Sequence, residues 1–204
     1  MDALTVSAAS GMRARLESLE MLANNLANAG TGGYKGDREF YSLYVSPQAQ
    51  DGAVSPADTL PVIERHWTDF APGNLRVTDN PLDLALSGAG FFAVNGPNGP
   101  LYTRNGSFRM AADGTLTAAS GYPVRNAGGG VLRLHPGLPV TVDPDGTVRQ
   151  DGQAAGRIEI VDFPDPAALA KRGNTYFQAA AGVQPVAANT EVHQGRLEES
   201  NVSA

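Results

Sequence analysis

Residues 1–35 read MDALTVSAASGMRARLESLEMLANNLANAGTGGYK, and the rest of the chain is organised around this stretch. Taken as a helix, Met12, Leu16, Leu19, Ala23 and Leu26 recur at steps of four and three. That is the heptad spacing, so these residues form a narrow coiled-coil seam rather than a broad face. Leu4 and Ala8 continue the seam upstream, while Arg13, Glu17, Glu20 and Asn24 fall outside it. Gly30 then stands where a left-handed residue commonly follows a helix. Periodicity alone is compatible with an ordinary surface helix lying on its own domain. Three details favour a helix made for a partner. The seam is narrower than the apolar face of a globular helix. Gly11 sits inside the helix at a cost of about 1 kcal/mol against alanine, which permits close approach by another backbone. Asn24, Asn25 and Asn28 crowd the last turn, where a solvated helix more often carries Lys or Glu. A helix this long cannot bury so thin a stripe against itself.

A chain of 204 residues can hold one good core, or a domain with extensions. Its formal net charge of -6 argues against nucleic acid as a partner, since phosphate binding needs clustered Lys and Arg. No run of about 18 apolar residues exists, so no membrane insertion by a helix is expected. Met1-Asp2 opens without a basic region or an uninterrupted apolar core, so a cleaved secretory signal is not expected. With no cysteine, disulfide and thiolate chemistry are absent.

Residues 36–74 form an extended connector in which Pro47, Pro56, Pro61 and Pro72 recur with Gly52 and small residues. Leu60 to Trp67 can make one strand within it, with Trp67 packed on the following domain or, alternatively, exposed as an assembly contact. From residue 75 the pattern turns to period two. Leu82, Leu84 and Leu86 alternate with polar or small residues, as do Leu132 and Leu134, Val140 and Val142, and Ile158 and Ile160. Turn signals fall between them at Asn95-Gly96-Pro97-Asn98-Gly99, Asp113-Gly114, Ser120-Gly121, Asp145-Gly146 and Asp151-Gly152. The expectation is a mainly β domain over 75–190, an antiparallel sandwich or barrel-like structure of eight to ten short strands. A short helix is expected from Ala167 to Arg172, with Asp165 as its cap, Pro166 at its first position and Gly173 as its stop. Residues 179–195 read as loop, and 191–204 as a return segment whose last residues open a helical signature.

Motifs for catalysis or cofactor binding fail one by one. Gly30-Thr31-Gly32-Gly33-Tyr34-Lys35 lacks the Gly-Lys-Ser/Thr ending of a phosphate loop and follows a helix instead of a strand. Asp143-Pro144-Asp145-Gly146 opens like a calcium loop but has no acidic ligand at the twelfth position, so a hairpin turn is expected. His66, His135 and His193 lie far apart, with no zinc spacing. No GxSxG elbow occurs, and Asp79 and Asp83 flank a proline turn rather than forming a glycosidase pair. No enzymatic activity, metal, cofactor or small-molecule substrate is therefore expected.

Four separate stretches, in order, carry a family resemblance. Ala23-Asn24-Asn25-Leu26-Ala27-Asn28-Ala29, followed by Thr31, Gly33, Tyr34 and Lys35, resembles the N-terminal signature of the flagellar basal-body rod and hook proteins. Asn80-Pro81-Leu82-Asp83-Leu84-Ala85-Leu86 with Gly88, Gly90, Phe91, Phe92 and Val94 is similar to their central motif, which Tyr102-Thr103-Arg104-Asn105-Gly106-Ser107-Phe108 extends. Leu197-Glu198-Glu199-Ser200-Asn201-Val202 resembles the stretch that opens their C-terminal helix, and residues 1–204 are expected to stop short of that helix. The resemblance implies a structural subunit of the rod, the periplasmic drive shaft between motor and hook. Its partners would be copies of itself, other rod and hook axial proteins, and the flagellar type III export apparatus, which passes it without a cleaved signal peptide. The short connector resembles the proximal-rod member more than the distal-rod member. A secreted carbohydrate-binding or carbohydrate-cleaving β domain is the rival from another class, and it would need a groove lined with exposed aromatics.

Overall fold

The computed structural model describes residues 3–45, 59–173 and 175–202, with side chains except at residues 3–8, 10, 41–45 and 59–65. The expected helix is present as α1 (Ala3–Ala27). A turn follows in which the Thr31 N–H donates to the Asn28 carbonyl. The left-handed residue after it is Gly33, at φ 67°, and not Gly30 as the sequence led us to expect. Among the described residues nothing lies within 4 Å of the Cβ direction at Gly11, so no other described backbone approaches it there.

The chain divides into two units. The first holds α1 and a two-stranded ribbon of β1 (Asp37–Val45) and β2 (Thr59–Thr68), antiparallel with a register shift between Phe40 and Tyr41. The strand expected at 60–67 is thus part of β2. Two contacts close the ribbon's open end. The Asp69 N–H donates to the Gly36 carbonyl, and the Thr68 hydroxyl to the Asp37 carboxylate at 2.8 Å. Trp67 is 46% exposed, which corrects the expectation that it packs away.

The second unit combines residues 28–35 with residues 70–203. Its strands are β3 (Leu75–Val77), β4 (Leu84–Ser87), β5 (Phe91–Gly96), β6 (Gly99–Thr103), β7 (Arg109–Met110), β8 (Leu116–Thr117), β9 (Val140–Val142) and β10 (Thr147–Gln150). They continue as β11 (Gln153–Arg157), β12 (Ile160–Asp162), β13 (Leu169–Arg172), β14 (Tyr176–Ala179), β15 (Val186–Ala187), β16 (Glu191–Gln194) and β17 (Arg196–Glu198). One six-stranded sheet runs β13-β14-β6-β5-β12-β15, beside a three-stranded β11-β10-β9 and the pairs β4–β16, β3–β17 and β7–β8. The class is mainly β and antiparallel, as expected, with more and shorter strands than the turn spacing implied.

Strand β5 shows why the motif carries two consecutive phenylalanines. Successive side chains of a strand point to opposite faces. Phe92 and Val94 enter one core with Leu84, Leu86, Phe108 and Val124, and Phe91 and Ala93 enter a second with Tyr102, Phe163 and Phe177. Strand β5 is therefore buried on both faces, as a central strand must be. Leu84, Ala85 and Leu86 of β4 are likewise all buried, so the alternation read there does not divide core from solvent.

Three local expectations are corrected. Asp165 does cap a turn, accepting the Ala167 N–H at 3.0 Å with Pro166 in first place. However, only Pro166–Ala168 is helical, as a single 3-10 turn, and Leu169–Arg172 is strand β13. Pairing of Leu169 with Ala179 buries the leucine in the second core, and that outweighs the local helix preference of an alanine-rich run. Residues 179–195 contain β15 and β16 rather than loop alone, because Val192 fills the main core while β16 pairs with β4. The supposed helix opening at 196 is strand β17, paired with β3 from Arg196–Val77 to Glu198–Leu75.

The hairpin turns stand where Asp-Gly pairs placed them. Between β10 and β11, Asp151 and Gly152 have φ of 49° and 74°, the positive values a two-residue turn needs. Asp143-Pro144-Asp145-Gly146 turns β9 into β10 as expected, with the Gly146 N–H donating to the Asp143 carbonyl. Asp145 accepts from the backbone N–H and the hydroxyl of Thr147, and Asp113 from those of Thr115. These hydrogen bonds hold both carboxyls below the ordinary carboxylate range. A depressed pKa adds stability above the unfolded value that is lost as pH falls through the folded one. In an NMR titration the Asp113 and Asp145 carboxyl signals should therefore move at lower pH than an unperturbed aspartate, and Thr147→Ala should raise the Asp145 midpoint only.

Candidate functional site

In the first unit the helix turns its leucines outward. Met12, Leu16, Leu19, Leu22 and Leu26 are between 55% and 65% exposed, and Ala23 is exposed beside them. The side chains of Leu4 and Ala8 lie outside those described, although both residues belong to α1. Leu22 was not read as part of the seam; it flanks it at the next helical position toward Leu26. The opposite face, with Gly11, Ala14, Ser18, Met21 and Asn25, is the less exposed one, and α1 packs on β1 and β2. Asn25 fixes that packing. Its amide donates to the Asp37 carbonyl at 2.8 Å and accepts the Asp37 N–H at 3.0 Å, tying the last turn to the first residue of β1. This explains an asparagine where a solvated helix would carry Lys or Glu; Asn24, one position earlier, is exposed.

In the second unit residues 28–35 are sewn into the β domain. Asn28 accepts the Thr31 hydroxyl at 3.3 Å, and the Gly33 N–H donates to the Glu198 carbonyl at 2.7 Å. At Gly33 a Cβ would overlap the backbone of Arg104 and Asn105, so no other residue fits. Lys35 is fully buried, donating to the Glu198 carboxylate at 2.5 Å and to the Ala71 carbonyl at 2.7 Å. Glu198, also buried, accepts the Gly73 N–H at 3.0 Å and one Arg104 Nη at 3.3 Å. Arg104 sends its other Nη to the Gly88 carbonyl and stacks over the Phe91 ring at 5.6 Å. Burial lowers the Arg104 pKa, and the Glu198 charge works against that. Lys171 completes the junction from β13, donating to the Lys35 carbonyl at 2.7 Å and lying over the Tyr34 ring at 4.5 Å.

The remaining signature residues frame this junction or the core. Asn80 shapes the turn into β4, accepting the Leu82 N–H and donating to Asp83 at 3.1 Å, with Pro81 between them. Leu82 packs against the main core. Gly90 has φ 132° at the mouth of β5, ahead of Phe91 and Phe92. Asn201 gives its N–H to the Tyr34 carbonyl and its amide to the Ala71 carbonyl, the Ser200 hydroxyl accepts the Val202 N–H, and Val202 is half-buried. Sequence reasoning named Lys35 but did not join it to Glu198 and Lys171, or Glu198 to Arg104. Glu198 and Arg104 lay inside quoted motifs, yet only a contact spanning 163 residues shows their role.

Among the described residues no group of three or more His, Asp or Glu is placed to hold a metal ion. A surface hollow is lined by Tyr122, Tyr176, Arg172 and Gln178. Its two tyrosines meet edge to face at 5.3 Å and pack on each other rather than offering a flat platform.

In the second unit the buried charges bond one another and the backbone, and in the first unit the helix turns its leucines to solvent. The comparisons with known proteins give the kind of protein. Residues 7–35 match the family model described as flagella basal body rod protein, and residues 85–153 match that of the flagellar hook protein FlgE/F/G D1 domain. The chain is 36% identical to the flagellar basal-body rod protein FlgF of Caulobacter vibrioides over 98% of its own length and 82% of that protein's. It is 34% identical to FlgF of Mesorhizobium japonicum, covering 99% and 83%, and 32% identical to the rod protein FlgG of Agrobacterium fabrum, covering 100% and 86%. The chain belongs to the flagellar basal-body rod protein family, and it is a structural protein of the bacterial flagellum.

Proposed function

We propose that this subunit takes its place in the proximal part of the rod, in the periplasm, and that the α1 seam is the surface by which it assembles. Leu4, Ala8, Met12, Leu16, Leu19, Ala23 and Leu26 pack in an inner helical layer against copies of the chain and other axial proteins, and the β domain forms an outer layer. The export apparatus delivers it without a cleaved signal, and it acts by assembly rather than by turnover. The observation that carries this reading is the exposure of five large apolar side chains along one helix. Burying each stabilises by about 1.5–3 kcal/mol, enough to drive association once subunits are concentrated at a growing tip. A head-to-tail contact that does not close on itself extends as a helical filament. The shorter FlgF-type member is favoured over the FlgG type by length. The alignment with FlgG of Agrobacterium fabrum takes 237 positions against the 204 residues of this chain, that with FlgF of Caulobacter vibrioides only 211.

The test is genetic. With Leu16→Asp and Leu19→Asp as the sole copy, cells should lose swimming in soft agar, while the purified variant keeps its circular dichroism and melting temperature because both sites are exposed. Normal swimming would sink the seam assignment.

A further inference from the structure

The ribbon carries a second apolar surface on the same unit as the seam. Phe40 is 58% exposed and Trp67 46%, and they are the large aromatics exposed among the described residues. The register sets Arg38 directly opposite Trp67, and Phe40 stands two residues along from Arg38, so the three share one face of the ribbon. Asp37 and Glu39, on the other face, are the less exposed, while Arg38 keeps 62% of its side chain in water and bonds the Asp69 carboxylate at 2.8 Å through one Nη. Among the described residues of this unit the ribbon's packing layer is α1, and it leaves Phe40 and Trp67 exposed.

From this geometry we infer that the Arg38–Phe40–Trp67 face receives the edge of α1 from a second copy of this chain. The inference rests on the assembly reading above, because an open head-to-tail assembly needs two different, complementary surfaces on each subunit. One flank of the seam supplies the complement. Leu16 and Glu20 are one helical turn apart, both exposed, and so present an apolar side chain next to a carboxylate. Leu16, at the edge of the seam, fits against Phe40 and Trp67, and Glu20 joins Asp69 on the Arg38 guanidinium, whose remaining N–H donors face solvent. An aromatic anchor beside an arginine is the composition that concentrates binding energy at protein interfaces.

Two measurements decide it. Phe40 is replaced by p-benzoylphenylalanine, which keeps an aromatic ring, in cells carrying that chain as their sole copy; basal bodies are purified and irradiated. The expected product is a cross-linked dimer of this chain joining residue 40 to a peptide within 13–24 of another copy. A cross-link from ribbon to ribbon, to a different axial protein, or none at all overturns the inference. Separately, Trp67→Ser should keep the melting temperature of the purified chain but reduce swimming at least tenfold in colony expansion, and wild-type swimming overturns the inference too. If both fail while Leu16→Asp with Leu19→Asp still abolishes motility, the seam stands and only its docking on the ribbon is lost.

Discussion

Replacing Glu198 by alanine lowers stability by about 3–5 kcal/mol, because it removes the carboxylate that two buried cations share. Lys35 loses its only carboxylate partner among the described contacts, and Arg104 keeps just the Gly88 carbonyl at its guanidinium tips. The Gly73 N–H also loses its acceptor. In a domain of this size the loss corresponds to a fall of roughly 6–20 °C in melting temperature. Lys35→Met should cost less, since Glu198 then still has Arg104 and the Gly73 N–H, and no cation is left alone that was not before. Chemical denaturation of the three proteins checks the order. A Glu198→Ala variant within 1 kcal/mol of the parent would show that water reaches the junction and that its charges do not depend on one another.

Gly33→Ala is expected to have a comparable effect by another route. The residue is held at φ 67°, which costs an alanine about 1–2 kcal/mol, and its Cβ would stand inside the backbone of Arg104 and Asn105. Neither backbone can move aside without disturbing Thr103, whose hydroxyl accepts the Asn105 N–H at 3.0 Å and donates to the Thr175 carbonyl at 2.7 Å. Overpacking adds about 1–3 kcal/mol. The damage should be local: hydrogen exchange speeds up at residues 31–35 and 196–201, while amides around Phe92 and Val94 keep their protection. Gly30→Ala is the control, since nothing lies within 4 Å of its Cβ direction, and it should change stability by less than about 0.5 kcal/mol. Equal effects at both glycines would mean that helix termination, rather than close approach, is what matters here.

These two variants also mark how far the linear chain could be read. The glycine-rich turn was visible, but its special residue was placed at Gly30. A helix ends locally, and local statistics favour the first glycine, whereas Gly33 is fixed by a backbone 71 residues further on. In the same way Asp165-Pro166 did signal a turn. What followed was decided by pairing with Tyr176–Ala179, a partner that no local propensity contains. The Leu197-Glu198 stretch read as a helix opening for the same reason: its strand exists only because Leu75–Val77 lies beside it.

By itself the sequence determined whatever depends on spacing. Heptad recurrence produced the seam, period two and Asp-Gly pairs produced an antiparallel β domain, and four ordered motifs pointed to the family. Those properties are local, because a helix presents every third or fourth residue on one face and a strand every second. The tertiary structure alone decided which face of α1 turns to solvent, that Asn25 ties the helix to Asp37, and that Lys35 finds Glu198 from the far end of the chain. Such choices follow from long-range contacts, where burying a charge is tolerated only when its partner arrives from elsewhere.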